Sequence, residues 1–529
     1  MLKLEGLRLP PGGGDAEFRA QAARLLRLRP EDIRELQVLR RSVDARENVS
    51  MIYSLAVTVD NEVSVLRRCR NKKVSRLTPE PDYIIPVPES PRPPEIRPVV
   101  VGAGPAGLFA ALVLALAGQN PILLERGRPV EARKADVEHF WSTGELDLSS
   151  NVQFGEGGAG AFSDGKLNTG TKDPRHRYIL RTLAAAGAPQ DILIDAKPHI
   201  GTDYLYITLQ NLRNTLLSLG TDIRFETRLT DLRIENGALA GILTEGPEGP
   251  CEMPCKNLIL SPGHSARDTF ETLYRRGVHM EAKPFAVGLR IEHLQADCDA
   301  AQYREFAGHP GLPASSYKLS CHLPSGRGVF SFCVCPGGEV VAAASEPEQV
   351  VTNGMSEFAR DKANINGAIL VGVTPEDFGS SPLAGVEFQR RLEAAAYALG
   401  GGGYRAPAQR VEDFLARRPS VGPGRVTPSY RPGVTWTNLH KCLSPFVSAA
   451  LEEALPILGR KLRGYDAPDA VLTAVESRSS SPVRIPRDSE GQANIRGLYP
   501  CGEGAGYAGG ILSAAADGMR CAEAVLRNR

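Results

Sequence analysis

The pattern G-x-G-x-x-G occurs three times in this chain, at Gly102/Gly104/Gly107, Gly155/Gly157/Gly160 and Gly504/Gly506/Gly509. Such a turn holds a dinucleotide when a buried strand precedes it, a helix follows it, and an acid closes the next strand. The first copy meets every condition. Residues 99–101 (VVV) read as a buried strand, residues 108–116 as an apolar helix ended by Gly118, and residues 121–124 (PILL) as a second strand closed by Glu125. Glu125 follows Gly102 by 23 residues, close to the spacing of about 20 that suits a ribose-binding acid. Gly102 makes the tight turn, Gly104 admits a pyrophosphate, and Gly107 lets helix and strand pack closely. Pro105 and Ala106 open the helix, whose free N–H groups favour an anion by about 0.3–1 kcal/mol.

The other two copies lack that context. After Gly155, Gly157 and Gly160 comes AFSDG, with no apolar helix stripe and no acid-closed strand. Gly504, Gly506 and Gly509 have a strand before them (497–501) and a helix after them (511–526), but no second strand can follow before residue 529. This copy reads as a helix start facing a ligand, through Gly509, Gly510 and Ile511.

Further polar groups sit near these glycines. The loop 151–166 carries Gly157, Gly158, Ser163, Asp164 and Lys166. It is either a ligand-facing wall or a reversal at Asp164-Gly165. His264 follows Gly263 at the end of a third predicted strand and is either ligand-facing or an ordinary loop histidine. Arg478 and Ser481 lie in ESRSSSPVR, shortly before the last glycine segment, and either contact a ligand or form a surface turn. H-E-x-x-H, G-x-S-x-G and G-x-x-x-x-G-K-[ST] are absent, so zinc-protease, α/β-hydrolase and P-loop chemistry lack their motifs, and no metal is expected. Ten cysteines include no C-x-x-C pair. They read as reduced, mostly structural thiols, with a redox role for Cys333 or Cys335 as the alternative.

These residues need a large scaffold. The chain has 529 residues, 42% hydrophobic and 23% charged, with a formal net charge of +1, which implies two or three domains and no general attraction to nucleic acid or anionic membrane. Lys3, Glu5 and Arg8 interrupt any apolar leader, and the apolar run 106–117 is too short for a span of about 20 residues. A cytoplasmic chain without membrane partners is expected. Residues 1–78 read as a small α/β module with a helix over 16–28, a segment 33–43 and a strand over 51–59. Its arginines (19, 24, 27, 29, 34, 40 and 41) form either a solvated or a binding face. A proline-rich linker covers 79–98. Strand pairs are expected at 223–234 with 238–244, turning at Asn236-Gly237, and within 328–344, turning at Gly337-Gly338. Gly400–Gly403 marks a loop.

Several segments resemble two-dinucleotide-fold flavoproteins. Glu125-Arg126-Gly127 is similar to their "ERG" ending; LILSPGH (258–264) is similar to their strand–Ala-Thr-Gly segment, with Ser-Pro in place of Ala-Thr; GLYPCGE (497–503) is similar to their C-terminal Gly-Asp motif, with Glu503 as a longer acid. More closely, VGAGPAGLFAAL, SNVQFGEGGAGAFSDGKL, GHSARDTF, KPFAVGLRIEH, SFCVCPGGEVV, SSSPVRI and GLYPCGEGAGYAGGI resemble a family of uncharacterised bacterial FAD-dependent dehydrogenases. The resemblance implies an α/β fold: a Rossmann-like FAD-binding domain in discontinuous halves (99–280 and 471–529), with an inserted α+β substrate domain (281–470) and the small N-terminal module. It implies FAD held by Gly102, Gly104, Pro105, Ala106, Gly107, Glu125, Arg126, Leu229, Gly263, Gly502, Glu503, Gly509, Gly510 and Ile511.

The expected function is an FAD-dependent oxidoreductase that acts on an unidentified small molecule by hydride transfer, with transient NAD(P)H as a candidate donor. The alternatives are FAD in a structural or sensing role, and a flavin-dependent RNA-modifying enzyme suggested by the arginine-rich module. Near-zero net charge speaks against nucleic acid, and the missing C-x-x-C against a disulfide reductase of the glutathione-reductase kind.

Overall fold

In the computed structural model, which describes residues 1–79, 81–87 and 94–528, the first glycine turn lies at the centre of a five-stranded parallel sheet. Its order is Leu498–Pro500, Leu258–Leu260, Val99–Val101, Ile122–Leu124, Asp222–Arg224. The strands are short and apolar because both faces are covered, as parallel sheets require. Pro105–Leu116 forms the helix after the turn, with Pro105 at its first position and Gly118 (φ +73) just past its end, the asymmetry that starts and stops helices. The helix Ile511–Arg527 crosses it closely: a Cβ on Gly518 would lie 1.9 Å from the Ala106 carbonyl oxygen.

Beside this sheet, Arg228–Glu235, Ala238–Gly246 and Gly249–Pro254 form an antiparallel meander. Asn236 (φ +51) and Gly237 (φ +71) make the expected tight turn. The expected strand over 223–234 is really two. Asp222–Arg224 joins the parallel sheet, Glu226 takes a positive φ of 50°, and the meander begins at Arg228.

A seven-stranded sheet stands over the parallel one, in the order Ser320–His322, Gly328–Cys335, Asn364–Val373, Phe285–Leu294, Val471–Glu476, Ala406–Arg410, Val434–Trp436. The strand Val471–Glu476 pairs with Phe285–Leu294 and Ala406–Arg410, so the larger sheet includes the chain up to Glu476. The hairpin expected within 328–344 does not form. Gly328–Cys335 pairs with Ser320–His322 and Asn364–Val373, while Glu339–Ala342 pairs with Thr352–Met355. Gly337 (φ +46) turns the chain, and another segment packs on that turn: the Arg360 carbonyl oxygen sits 1.8 Å from where a Gly337 Cβ would be, and Gly338 N–H donates to the Asn364 carbonyl.

The N-terminal module is a four-stranded antiparallel sheet with the helices Asp15–Leu26 and Glu62–Cys69. Segment 33–43 falls in the strand Ile33–Asp44. Arg19, Arg29, Arg34 and Arg41 are ion-paired with Asp15, Asp32, Asp60 and Asp195, so much of the basic face is neutralised within the chain. Of the proline-rich linker, residues 80 and 88–93 lie outside the described residues; Tyr83 is anchored on Glu523, Arg175 and Tyr178. Among the described residues no helix is long and apolar enough to cross a membrane.

Candidate functional site

A cavity of about 360 Å³ runs from the first glycine turn to the face of the seven-stranded sheet. At one end, Gly102 adopts φ +95 and lies so close to the neighbouring strand that a Cβ would be 2.2 Å from the Ser261 oxygen. Glycine is required twice over there, by conformation and by space. Glu125 closes the next strand and accepts from the backbone N–H groups of Ala103 (2.8 Å), Gly127 (2.9 Å) and Gly155 (3.0 Å). These charge-assisted bonds let one carboxylate tie the turn, its own strand end and the second glycine loop together. Arg126 lies over the Phe154 ring at 4.3 Å and donates to Asp268 and Thr269. Leu229, Val101 and Leu124 supply the apolar lining.

The second glycine loop is the opposite wall. Gly157 N–H donates to the Ala103 carbonyl at 2.8 Å, and a Cβ on Gly158 (φ +60) would lie 3.2 Å from the Gly104 Cα. Arg133, fully buried in the helix Val130–Thr143, shapes this loop by donating to the carbonyls of Asn151, Val152, Gly155 and Glu156. Gly155 (φ +120) must be bare because a Cβ there would meet the Arg133 side chain at 2.4 Å.

At the far end Gly502, Glu503, Gly509, Gly510 and Ile511 line the cavity. Gly510 caps the helix Ile511–Arg527, whose first-turn N–H groups have no intrahelical acceptor and whose positive end meets the cavity. Burial pushes Glu503 up to about 7, partly opposed by Lys283. In its protonated form Glu503 can donate to a phosphate or hydroxyl oxygen.

The remaining wall comes from the larger sheet: Phe332, Cys333, Asn353, Glu476, Arg478 and Ser479, together with Lys166 and His264. Glu476 Oε2 has no hydrogen-bond partner among the described residues, and its nearest cation is Arg290 Nε at 3.6 Å. Burial raises this carboxyl to about 7, with Arg290 opposing. Burial, then Arg478 and Arg267, lower His264 to about 3, so its ring is neutral at physiological pH.

Of the residues singled out from sequence, Gly102, Gly104, Pro105, Ala106, Glu125, Arg126, Leu229, Gly263, Gly502, Glu503, Gly509, Gly510, Ile511, Gly158, Ser163, Asp164, Lys166, His264 and Arg478 line this one cavity. Three do not. Gly107 packs behind the turn, where a Cβ would be 1.8 Å from the Gly102 carbonyl oxygen. Gly157 turns its α-carbon toward Leu209. Ser481 spends its hydroxyl on the carbonyls of Val483 and Gly504. Arg478 reaches the wall, but its donors are engaged by Glu393 and Ser345. Asp164 is likewise ion-paired with Lys166 (2.7 Å) and Arg360 (2.6 Å); these cations hold it well below the usual carboxylate range despite burial. Sequence reasoning did not select Phe332, Asn353 or Glu476, which no local motif marks.

Comparison with known proteins agrees with this geometry. "FAD binding domain" describes residues 97–193, "FAD-dependent protein, C-terminal domain-like" residues 284–479, and a domain of unknown function residues 1–60. An uncharacterised protein of Clostridium beijerinckii is 47% identical over 506 residues, covering 95% of this chain and 94% of that protein. The chain belongs to this FAD-dependent protein family. A 12-dehydrotetracycline 5-monooxygenase/anhydrotetracycline 6-monooxygenase of Streptomyces rimosus is 31% identical over 169 residues, 30% of this chain and 29% of that enzyme. The solved structure of the flavin-dependent brominase Bmp2 is 14% identical, with a TM-score of 0.36 over 82% of this chain and 79% of that one.

FAD is the cofactor of this FAD-dependent protein, and the cavity suits it. The bare backbone at Gly104 and Gly158 leaves the turn open to a pyrophosphate, the ends of two helices would favour its charge, and Glu125 on the cavity wall would be the acid for a ribose diol. Glu476, whose Oε2 accepts no hydrogen bond from the described residues, lies on the sheet-side wall of the same cavity.

Proposed function

We propose that this FAD-dependent oxidoreductase passes a hydride between its flavin and a small molecule bound against Phe332, Asn353 and Glu476. The observation that carries the reading is Glu476, a buried carboxyl on the cavity wall whose Oε2 accepts no hydrogen bond from the described residues and whose pKa is raised to about 7. That is the value at which one group serves as both proton acceptor and donor at neutral pH. When bound, FAD supplies the two-electron acceptor and donor. The residues of the chain do the rest. Gly102–Ala106 and Glu125 grip the dinucleotide half, and the positive end of the helix Ile511–Arg527 would favour negative charge arising on a reduced ring. Phe332 and the seven-stranded sheet keep water from one side, and Glu476 holds or removes the proton that accompanies hydride transfer. His264, neutral throughout, serves as a hydrogen-bonding wall and not as the titrating group. NAD(P)H would act as a transient donor from solvent, since the described residues contain a single complete dinucleotide turn.

The test is anaerobic stopped-flow reduction of the holoprotein with NADH, NADPH and a panel of small-molecule donors, followed by reoxidation with candidate acceptors. For whichever pair reacts, the rate is expected to titrate near pH 7, and E476Q should flatten that limb and slow the rate by about 10²-fold or more with FAD still bound. A wild-type profile unchanged in E476Q would remove Glu476 from the reaction. Flavin that no donor reduces would favour a structural or sensing role.

A further inference from the structure

Cys333 and Cys335 meet on the sheet-side wall of the FAD cavity. Cys333 lines the cavity, while Cys335 is fully buried just behind it. Residues two apart on a strand share a face, and the strand is irregular here. The pairing register shifts between Phe332 and Cys335, and Cys333 adopts a left-handed φ of +41°. A non-glycine residue in that region is strained, and strain of this kind gathers at working sites. The bend puts the Cys335 sulfur 3.3 Å from the Cys333 carbonyl oxygen, behind the stretch of cavity wall that Cys333 lines.

The surroundings are those of a reactive thiol. Lys166 Nζ is 4.0 Å and Arg290 Nη2 3.9 Å from the Cys335 sulfur, and both Arg290 Nη atoms donate to the Cys333 carbonyl. Asp164 faces Lys166, Glu476 faces Arg290, and Tyr317 stands behind both Arg290 and Cys335. The two thiols share one proton, with Cys333 drawn down and Cys335 raised, and Lys166 and Arg290 favour a thiolate on this pair against burial and Glu476. Cations beside one thiol lower its pKa and raise its thiolate fraction, the condition for thiol chemistry at neutral pH.

We infer that Cys333 and Cys335 are a redox-active dithiol that exchanges an electron pair with the flavin through reversible formation of a Cys333–Cys335 disulfide. The step balances without another reactant. The Cys333 thiolate and the Cys335 thiol lose one proton and two electrons as the S–S bond forms. Both electrons and the proton are delivered to oxidised FAD, giving its singly protonated reduced anion, whose charge the start of the helix Ile511–Arg527 favours. Glu476, whose Oε2 accepts no hydrogen bond from the described residues, lies on the same wall and carries the proton between them. In reverse, reduced flavin opens the disulfide. A bridge over one intervening residue is strained, and strained bridges are the easily reduced ones. The inference rests on FAD occupying the cavity, but not on the identity of any small-molecule substrate.

The experiment uses the holoprotein. Trypsin releases both cysteines in one peptide, residues 328–360, because no lysine or arginine lies between Arg327 and Arg360. From air-oxidised protein denatured in iodoacetamide, this peptide should be two hydrogens lighter than its thiol form and unalkylated; after anaerobic reduction it should carry two alkyl groups. Anaerobic dithionite titration should consume two electron pairs per FAD in the native protein and one in C335A. Alkylation of the pair in reduced native protein should begin at a pH below the ordinary thiol range. Two alkyl groups in both redox states, or one electron pair per FAD in the native protein, would overturn the inference. Protein that purifies and refolds without FAD would instead undo the cofactor assignment beneath it, and flavin absorbance separates the two failures.

Discussion

Gly107 offers a test in which two effects of known size oppose each other. It sits in the first turn of the helix Pro105–Leu116 with no positive φ, so alanine fits the backbone. Helix propensity alone would make Gly107→Ala stabilising by up to about 1 kcal/mol. Against this, the new Cβ would lie 1.8 Å from the Gly102 carbonyl oxygen and 3.0 Å from Ser261 Oγ. The first distance is more than 1 Å inside anything real Cβ atoms tolerate, and the obstacle is backbone. Overpacking of this kind costs about 1–3 kcal/mol. With a backbone clash this deep the cost lies at the upper end, sterics win, and the net loss is about 2 kcal/mol. Gly102 cannot yield toward the neighbouring strand, because Ser261 already blocks that side, so the turn must open toward the pyrophosphate position. FAD affinity should therefore fall by about 10-fold or more, at 1.4 kcal/mol per decade, although Gly107 does not line the cavity. Fluorescence titration of apoprotein with FAD, with thermal melts of the apo and loaded forms, measures both terms. A variant that melts higher than the native protein and binds FAD equally well would show that the turn relaxes freely, and the reasoning would fail.

Arg133→Met keeps much of the volume but strips donors from four loop carbonyls. It should cost about 3 kcal/mol or more and release FAD, read by urea unfolding and by flavin content after gel filtration. Ser481→Ala removes a brace outside the cavity; a loss of about 1 kcal/mol with unchanged flavin content is expected, and lost flavin would place Ser481 at the ligand. For Glu476, burial raises the folded-state pKa to about 7, above the ordinary value of about 4.3. Its contribution to stability is thus full below the unfolded-state value and is lost as pH rises through about 7. Urea midpoints measured from pH 4 to 8 should decline more steeply in the native protein than in E476Q, and parallel curves would refute the assignment.

The dinucleotide half was legible because its signals are local. A buried strand, a glycine turn, a Pro-started helix and Glu125 all fall within about 25 consecutive residues, and that spacing is fixed by the turn itself. The Gly509–Ile511 helix start was legible for the same reason. Glu476, Phe332 and Asn353 were not, since they meet only through a sheet whose neighbours are far apart in sequence, with Phe285–Leu294 lying between Asn364–Val373 and Val471–Glu476. The failed hairpin at Gly337-Gly338 has the same cause. A turn signal says that the chain reverses, but not which strand it meets next, and both strands found partners from outside the local window. Arg133 was hidden differently: from sequence it is one more helical arginine, and its role shows only where Gly155 makes room for it.

The crossing of the helices Pro105–Leu116 and Ile511–Arg527 at Gly518 also bears on how the protein is made. The turn that grips the pyrophosphate is translated early, but the helix that packs on it and the edge strand Leu498–Pro500 emerge only after the whole seven-stranded sheet has been synthesised. Contacts this distant in sequence form late and slowly. Until they close, the apolar faces of Val99–Val101 and its following helix are an exposed, half-built layer, open to chaperones and proteases. Cofactor loading then becomes a checkpoint of biosynthesis: flavin would be captured only by a chain whose final helix has arrived, and chains stalled before it would be left empty for degradation.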